Sequence, residues 1–273
     1  MTAVTLAAAP PPRARFGRRG AGAVIVAALI AFGTLGPLLI TADPARQDLG
    51  NALAPMFGDY WLGTDHYGRS LLARLAHATG LSLALAALTV AGAAVPGVAL
   101  GLLAAWRGGW TDRAAGALAD MVLALPGLLL VLLFAAFAPG EFLPLYLGLA
   151  LAQWVEYFRV TRATARSVLA RSHVEAARLL GFGPPYIARH LLLPELAPVL
   201  GTLMAFGMGT AVLAISTLSF ISIGLHPPTA EWGSMVTELL PYYAEAPAHV
   251  LSPAVMILLT VLGFHLLAGA ERP

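Results

Sequence analysis

Six stretches of this chain are apolar for about as long as a bilayer is thick. A hydrocarbon core of about 30 Å takes ~20 apolar residues at about 1.5 Å of rise each. The runs Gly20–Thr41, Gly80–Trp106, Ala115–Ala138, Phe142–Phe158, Pro198–Ile223 and Val250–Ala270 meet or approach that length. This leaves few folds open, because a backbone in lipid must satisfy its N–H and C=O groups within each span. The expectation is an all-α membrane protein with six transmembrane helices. Composition agrees. Of 273 residues, 59% are hydrophobic and 11% charged, where a soluble domain carries about 25% charged residues. The fourth run is the least apolar, with Glu156 and Arg159 near its end. The first is too long for the core of a signal peptide, and no small-x-small cleavage site follows it cleanly.

Arginine orients the spans. All 16 basic residues are Arg. Six spans place both termini on one side, which then holds Arg13, Arg15, Arg18, Arg19, Arg107, Arg113, Arg159, Arg162, Arg166, Arg171, Arg178, Arg189 and Arg272. The other side holds Arg46, Arg69 and Arg74. Thirteen against three makes the first side cytoplasmic. The net charge of +2 is therefore an orientation signal at membrane boundaries and not a nucleic-acid surface. Without Lys the chain has no P-loop, so any ATP that drives it is hydrolysed by another chain. Without Cys it has no disulfide and no thiolate ligand or nucleophile.

Between the spans the organisation is readable. Residues 1–19 are rich in Ala, Pro and Arg and read as a disordered cytoplasmic tail, followed by a first span at 20–41. Residues 42–79 form an extracytoplasmic segment. Within it Arg69–Ala78 reads as an amphipathic surface helix, with Leu71, Leu72 and Leu75 on one face and Arg69 and Arg74 in water. Residues 80–273 hold the other five spans. Gly97-x-x-x-Gly101 marks a close helix–helix face, and Pro96 and Pro126 are expected to kink their spans. After the fifth span, Pro227 and Pro228 stop the helix, and Glu231–Leu240 reads as a short outer or re-entrant helix.

A search for catalysis finds none. H-E-x-x-H and G-x-S-x-G are both absent. The histidines are widely spaced, and His249 and His265 lie near opposite ends of one span, too far apart to share a metal. His265 reads as hydrogen-bonded structure, with function open because ionisable groups in lipid are costly. Asp120 and Glu156 sit near the cytoplasmic boundary, where Glu156 and Arg159 are spaced i,i+3 for pairing.

The most polar segment between spans is "RSHVEAARLLGFGPPYIARHLLLPELAPVL", Arg171–Leu200. It reads as a short amphipathic helix, a turn at Gly181 and Gly183 that permits positive φ, a stiff Pro184–Pro185 exit, and a return to the membrane through Ile187 and Leu193. Its Glu175, Ala176, Ala177, Gly181, Ile187 and Pro194 resemble the EAA loop of ABC importer permeases. "WLGTDHYGRSLLARL" and "LSFISIGLHPPTAEWGSM" resemble two further segments of the C-type permease subunit of dipeptide, oligopeptide and nickel importers. The likeness spans about Gly20–Leu267, with departures at Ser70, Glu195 and His265.

That resemblance implies a type I ABC importer permease fold with a cytoplasmic EAA coupling loop at 171–197. It implies one permease subunit of a bacterial inner membrane importer for peptides or for nickel and metal chelates. Its implied partners are a homologous second permease, two ATP-binding subunits that carry the ATP and Mg, and an extracytoplasmic solute-binding protein. Glu175, Ala176, Ala177, Leu180, Gly181, Phe182, Ile187 and Pro194 are the expected ATPase-coupling residues. Asp65, Arg69, Glu231 and Trp232 are the expected docking residues for the binding protein. No residue is expected to be catalytic or to hold a metal, and no cofactor is expected in this chain. The alternative is a self-contained secondary transporter, which needs mid-membrane charges and usually internal repeats; neither is evident.

Overall fold

A computed structural model describes residues 15–137 and 141–269. The expected disordered tail lies outside these residues up to position 14, as does Arg272. The described chain is helical, in ten α-helices, with the outer segment 40–70 between the first two and shorter connections elsewhere. In order they are α1 (Arg15–Leu39), α2 (Leu71–Arg107), α3 (Gly109–Leu123), α4 (Gly127–Ala135), α5 (Phe142–Leu169), α6 (Ser172–Leu179), α7 (Pro184–Ile187), α8 (Leu193–Phe220), α9 (Trp232–Leu239) and α10 (Pro247–Ala268). Among the described residues four helical stretches are long and apolar enough to cross a bilayer: Gly17–Leu39, Leu71–Arg107, Pro184–Phe220 and Pro247–Ala268.

The third expected span is broken. Pro126 cannot continue the helix begun at Gly109, and α3 meets α4 at 78°; counted as one span, the pair brings the number to five. Pro96, by contrast, lies inside an unbroken α2. The fourth expected span lies on α5. This helix is long enough at 28 residues, but it carries Glu156, Arg159, Arg162 and Arg166 and is not among the apolar stretches. Residues 15–19, expected as disordered, already belong to α1.

Helices α2 and α5 form the spine. Gly97 and Gly101 lie directly on the α5 backbone, where a Cβ on Gly97 would come within 2.5 Å of Trp154 O and one on Gly101 within 2.8 Å of Phe158 O. The small-residue pattern is thus the α2–α5 crossing, and Ala93, Ala94, Trp154, Val155, Tyr157 and Phe158 are buried along it. Helix α1 lies against α2 and α10, and α9 fits between α8 and α10.

The surface helix expected at Arg69–Ala78 is instead the first turns of α2, whose N-terminus is capped by Ser70. Arg69 and Arg74, expected in water, are buried. The reason is distant in sequence: both guanidiniums meet Glu238 on α9.

Candidate functional site

Two polar constructions stand out, one at each end of the bundle. At the arginine-rich end, the loop between α5 and α8 folds as a knob. Helix α6 ends in a Schellman turn. The Phe182 N–H donates to Ala177 O and the Gly181 N–H to Arg178 O, each at 3.0 Å. Gly181 has φ +85°, with nothing within 4 Å of where a Cβ would stand. The left-handed turn therefore demands glycine through backbone conformation and not through lack of space.

The knob is two-faced. Val174, Ala177, Ile187 and Leu192 point inward. Val174, Ile187 and Leu192 join Ala165 and Val168, against Leu102, Ala105 and Trp106 at the end of α2. Leu179 is 84% exposed and Leu180 76%, and Phe182 is also exposed. Glu175 and Ala176 are exposed in the middle of α6. Of the eight expected coupling residues, Ala177 and Ile187 thus anchor the knob, and Glu175, Ala176, Leu180, Gly181 and Phe182 lie on its outside. Pro194 is exposed too, in the first turn of α8. Its ring would clash with the His190 carbonyl in a regular helix, and here residues 188–192 widen into a π-turn closed by the Leu193 N–H on Ala188 O. Glu195 pairs with Arg171 at 2.7 Å across the base of the loop, an exposed pair that contributes little.

At the opposite end four charged side chains form a buried hub. Residues 65–69 make a tight turn in which Asp65 Oδ1 accepts from the Tyr67 and Arg69 N–H groups, each at 2.9 Å. Asp65 Oδ2 then meets Arg69 Nε and Arg74, each at 2.5 Å. Both arginines reach on to Glu238 Oε2 at 2.7 Å. Burial alone would raise the Asp65 pKa. The Arg69 amide and the Arg74 and Arg69 charges outweigh it and hold the carboxyl below its ordinary range. Next to the hub, Glu231 caps α9 through the Ser234 N–H at 3.1 Å and accepts from Ser216 Oγ on α8 at 3.1 Å. Trp232 is wholly buried beside it. The hub joins the outer turn, α2 and α9, and Glu231 ties α9 to α8.

The expected docking set lies inside this construction. Asp65, Arg69, Glu231 and Trp232 are all buried, each at most 3% exposed, so none offers a side chain to a partner. They hold the outer segment and α9 in place. The sequence reading missed Arg74 and Glu238 as members of this group. The only local signal was an arginine inside an otherwise apolar helical run.

Two smaller outcomes concern the candidate ionisable groups. Arg159 pairs with Asp120 of α3 at 2.6 Å and not with Glu156 on its own helix. Asp112 gathers Arg162 and Arg166, so α3 is tied to α5 by charge at the arginine-rich end. His265 Nδ1 lies 2.8 Å from Val261 O. Among the described residues no three His, Asp or Glu side chains are arranged to hold a metal ion.

Residues 97–270 match the family described as binding-protein-dependent transport system inner membrane component. The chain is 30% identical over 252 residues to the dipeptide transport system permease protein DppC of Alkalihalophilus pseudofirmus, covering 92% of this chain and 83% of that protein. It is 33% identical over 262 residues to the di/tripeptide transport system permease protein DppC of Pseudomonas aeruginosa, with 92% and 85% covered. It is 30% identical over 249 residues to the nickel transport system permease protein NikC of Escherichia coli, with 91% and 90% covered. Among solved structures it is similar to a chain of the MetNI methionine ABC transporter in inward-facing conformations. The TM-score there is 0.50 at 17% identity, with 70% of this chain and 93% of that one covered, a likeness of fold alone.

Proposed function

Because the chain belongs to the binding-protein-dependent transport system inner membrane components, the permease subunits of ABC importers, we propose that the knob at 171–197 is its coupling loop to a separate ATPase. The subunit is a transport component and not an enzyme. The observation that carries the proposal is the division of labour within the loop. Val174, Ile187 and Leu192 bind it to the ends of α2 and α5, while Leu179, Leu180 and Phe182 project as a small apolar tip. An apolar helix tip of this kind fits a groove on a partner. A knob fixed to the spans moves when they move, so closure of the ATPase chains reaches the helices through it.

In this reading the bundle has six spans, with α3 and α4 together forming the third and α5 the fourth. At 28 residues α5 is about 42 Å long, and its arginines reach the cytoplasmic boundary. Both termini then face the cytoplasm. The functional assembly contains a homologous second permease, two ATP-binding subunits carrying ATP and Mg, and an extracytoplasmic solute-binding protein. The buried hub and α9 lie on the extracytoplasmic side, where they brace the surface that faces the binding protein. The cargo class is peptides or nickel, taken from what the relatives transport.

The test is reconstitution of the full complex in liposomes, with uptake of a radiolabelled dipeptide and of radioactive nickel followed with and without ATP. ATP-dependent uptake of either probe that is lost in Leu180→Asp, together with ATPase co-purification, supports the reading. ATP-independent, proton-driven uptake by this chain alone overturns it in favour of a secondary transporter.

A further inference from the structure

The coupling loop contains a mechanical weakness and a device that answers it. Between α6 and α7 the backbone passes through Gly181 in the left-handed region and Gly183 in an extended conformation. Two glycines two positions apart make a pliant joint. A second joint follows at the π-turn of residues 188–192, where the loop meets α8. A knob that transmits motion cannot bend at both places.

Three aromatic rings bridge from the first joint into the second, and the first of them, Phe182, is tied back to α6 by its N–H on Ala177 O. Phe182 lies in the turn after α6, Tyr186 in α7 and His190 in the π-turn. Phe182 stacks on Tyr186 with centroids 4.2 Å apart and planes at 17°. Tyr186 stacks on His190 at 4.3 Å and 23°. His190 Nδ1 also lies 3.1 Å from Tyr186 O. The rings occupy the outer side of the loop, opposite the buried Ile187. The i, i+4, i+8 spacing F-x-x-x-Y-x-x-x-H is a helical stripe laid over a segment that is not one regular helix.

We infer that the Phe182–Tyr186–His190 stack is a strut that fixes the angle of α6 relative to α8, with Tyr186 as its positioning residue. The inference rests on the coupling-loop reading and deepens it. The apolar tip makes the contact, and the strut makes that contact rigid. Stacked rings suit this task because they tie the end of α6, through Phe182, to the helical stretch that starts at Pro184 without needing buried area.

The chain has no Cys, so paired Leu49→Cys and Arg178→Cys spin labels are its only thiols. Leu49 lies in the outer segment before α2, and Arg178 lies on α6, which packs at the far end of α2; the 37-residue helix between the two sites is about 55 Å in length. Distance distributions are measured on the chain with its ATP-binding subunits in nanodiscs, in backgrounds carrying native Tyr186, Tyr186→Phe or Tyr186→Leu. Leucine keeps apolar bulk for a partner but cannot stack. The expected result is a narrow distribution with tyrosine and phenylalanine, and one broadened about two-fold or more with leucine, while ATP-binding subunits co-purify in all three. A leucine variant as narrow as native overturns the strut, and so does a phenylalanine variant as broad as leucine. Should Tyr186→Leu fail to fold, His190→Leu breaks the other end of the stack and is read the same way. Failure of the coupling reading looks different: Leu180→Asp then co-purifies with the ATP-binding subunits as well as native protein does, whatever the width.

Discussion

Replacing Arg74 by methionine tests the buried hub. Arg74 is wholly buried and meets two carboxylates, Asp65 at 2.5 Å and Glu238 at 2.7 Å. Methionine keeps much of the length and apolar bulk, so the change removes charge and hydrogen bonds with little cavity. What remains is Arg69 facing both Asp65 and Glu238, a buried group with one uncompensated negative charge. Breaking a buried pair in this way costs about 3–5 kcal/mol. At about 2–4 °C per kcal/mol for a chain of this size, the melting temperature should fall by about 6–20 °C. A water-facing Arg74 on a surface helix would cost about 0–1 kcal/mol, a shift of no more than ~4 °C. The assay is thermal unfolding of purified protein in one detergent, for native, Arg74→Met, Glu238→Gln and the double variant. The double variant should lose less than the sum of the single ones, because neutralising Glu238 relieves the excess charge that Arg74→Met creates. A melting temperature within about 2 °C of native for Arg74→Met, or strict additivity of the pair, would refute the hub.

Three further outcomes follow from particular contacts. Gly181→Val should fold and insert normally, since nothing stands within 4 Å of its Cβ, yet φ +85° imposes ~1–2 kcal/mol of strain and re-aims α6; uptake is lost while Gly181→Asn retains it, and normal uptake by the valine variant counts against the loop's role. Gly97→Val should disrupt assembly of the chain itself, because its Cβ meets Trp154 O at 2.5 Å and Tyr157 Cβ at 2.7 Å; size-exclusion chromatography should show aggregation, with a cost above the about 1–3 kcal/mol of an ordinary overpacked core. Asp65 has a folded pKa below its unfolded value of about 3.9, so its contribution is complete above that value and is lost as pH falls through the folded pKa. Melting temperature should therefore drop in that acid range, and Asp65→Asn, already less stable at neutral pH, should show a flatter acid limb.

How much was legible in the sequence varies by element. Four of the apolar runs, the Gly97-x-x-x-Gly101 face, the break at Pro126 and the left-handed turn at Gly181 are local properties. Hydropathy over ~20 residues, one proline ring or one missing Cβ decides each of them, and their places in the structure follow. Five of the eight expected coupling residues, Glu175, Ala176, Leu180, Gly181 and Phe182, lie on the outer side of the knob, where an eight-residue helix with a Schellman end places them.

The outer residues were misplaced because their surroundings are not local. A helix beginning at Ser70 with arginines at its start reads as amphipathic until Glu238, 164 positions beyond Arg74, is brought against it. Arg159 likewise has Glu156 within reach along its own helix, yet it meets Asp120 on α3, which packs along α5. Local chemistry therefore determined which segments are helical, where they stop and where glycine is obligatory. Which charges are buried, and with whom, was decided by tertiary structure, because the free energy of a buried ion depends on the partner and the dielectric around it, and long-range packing supplies both.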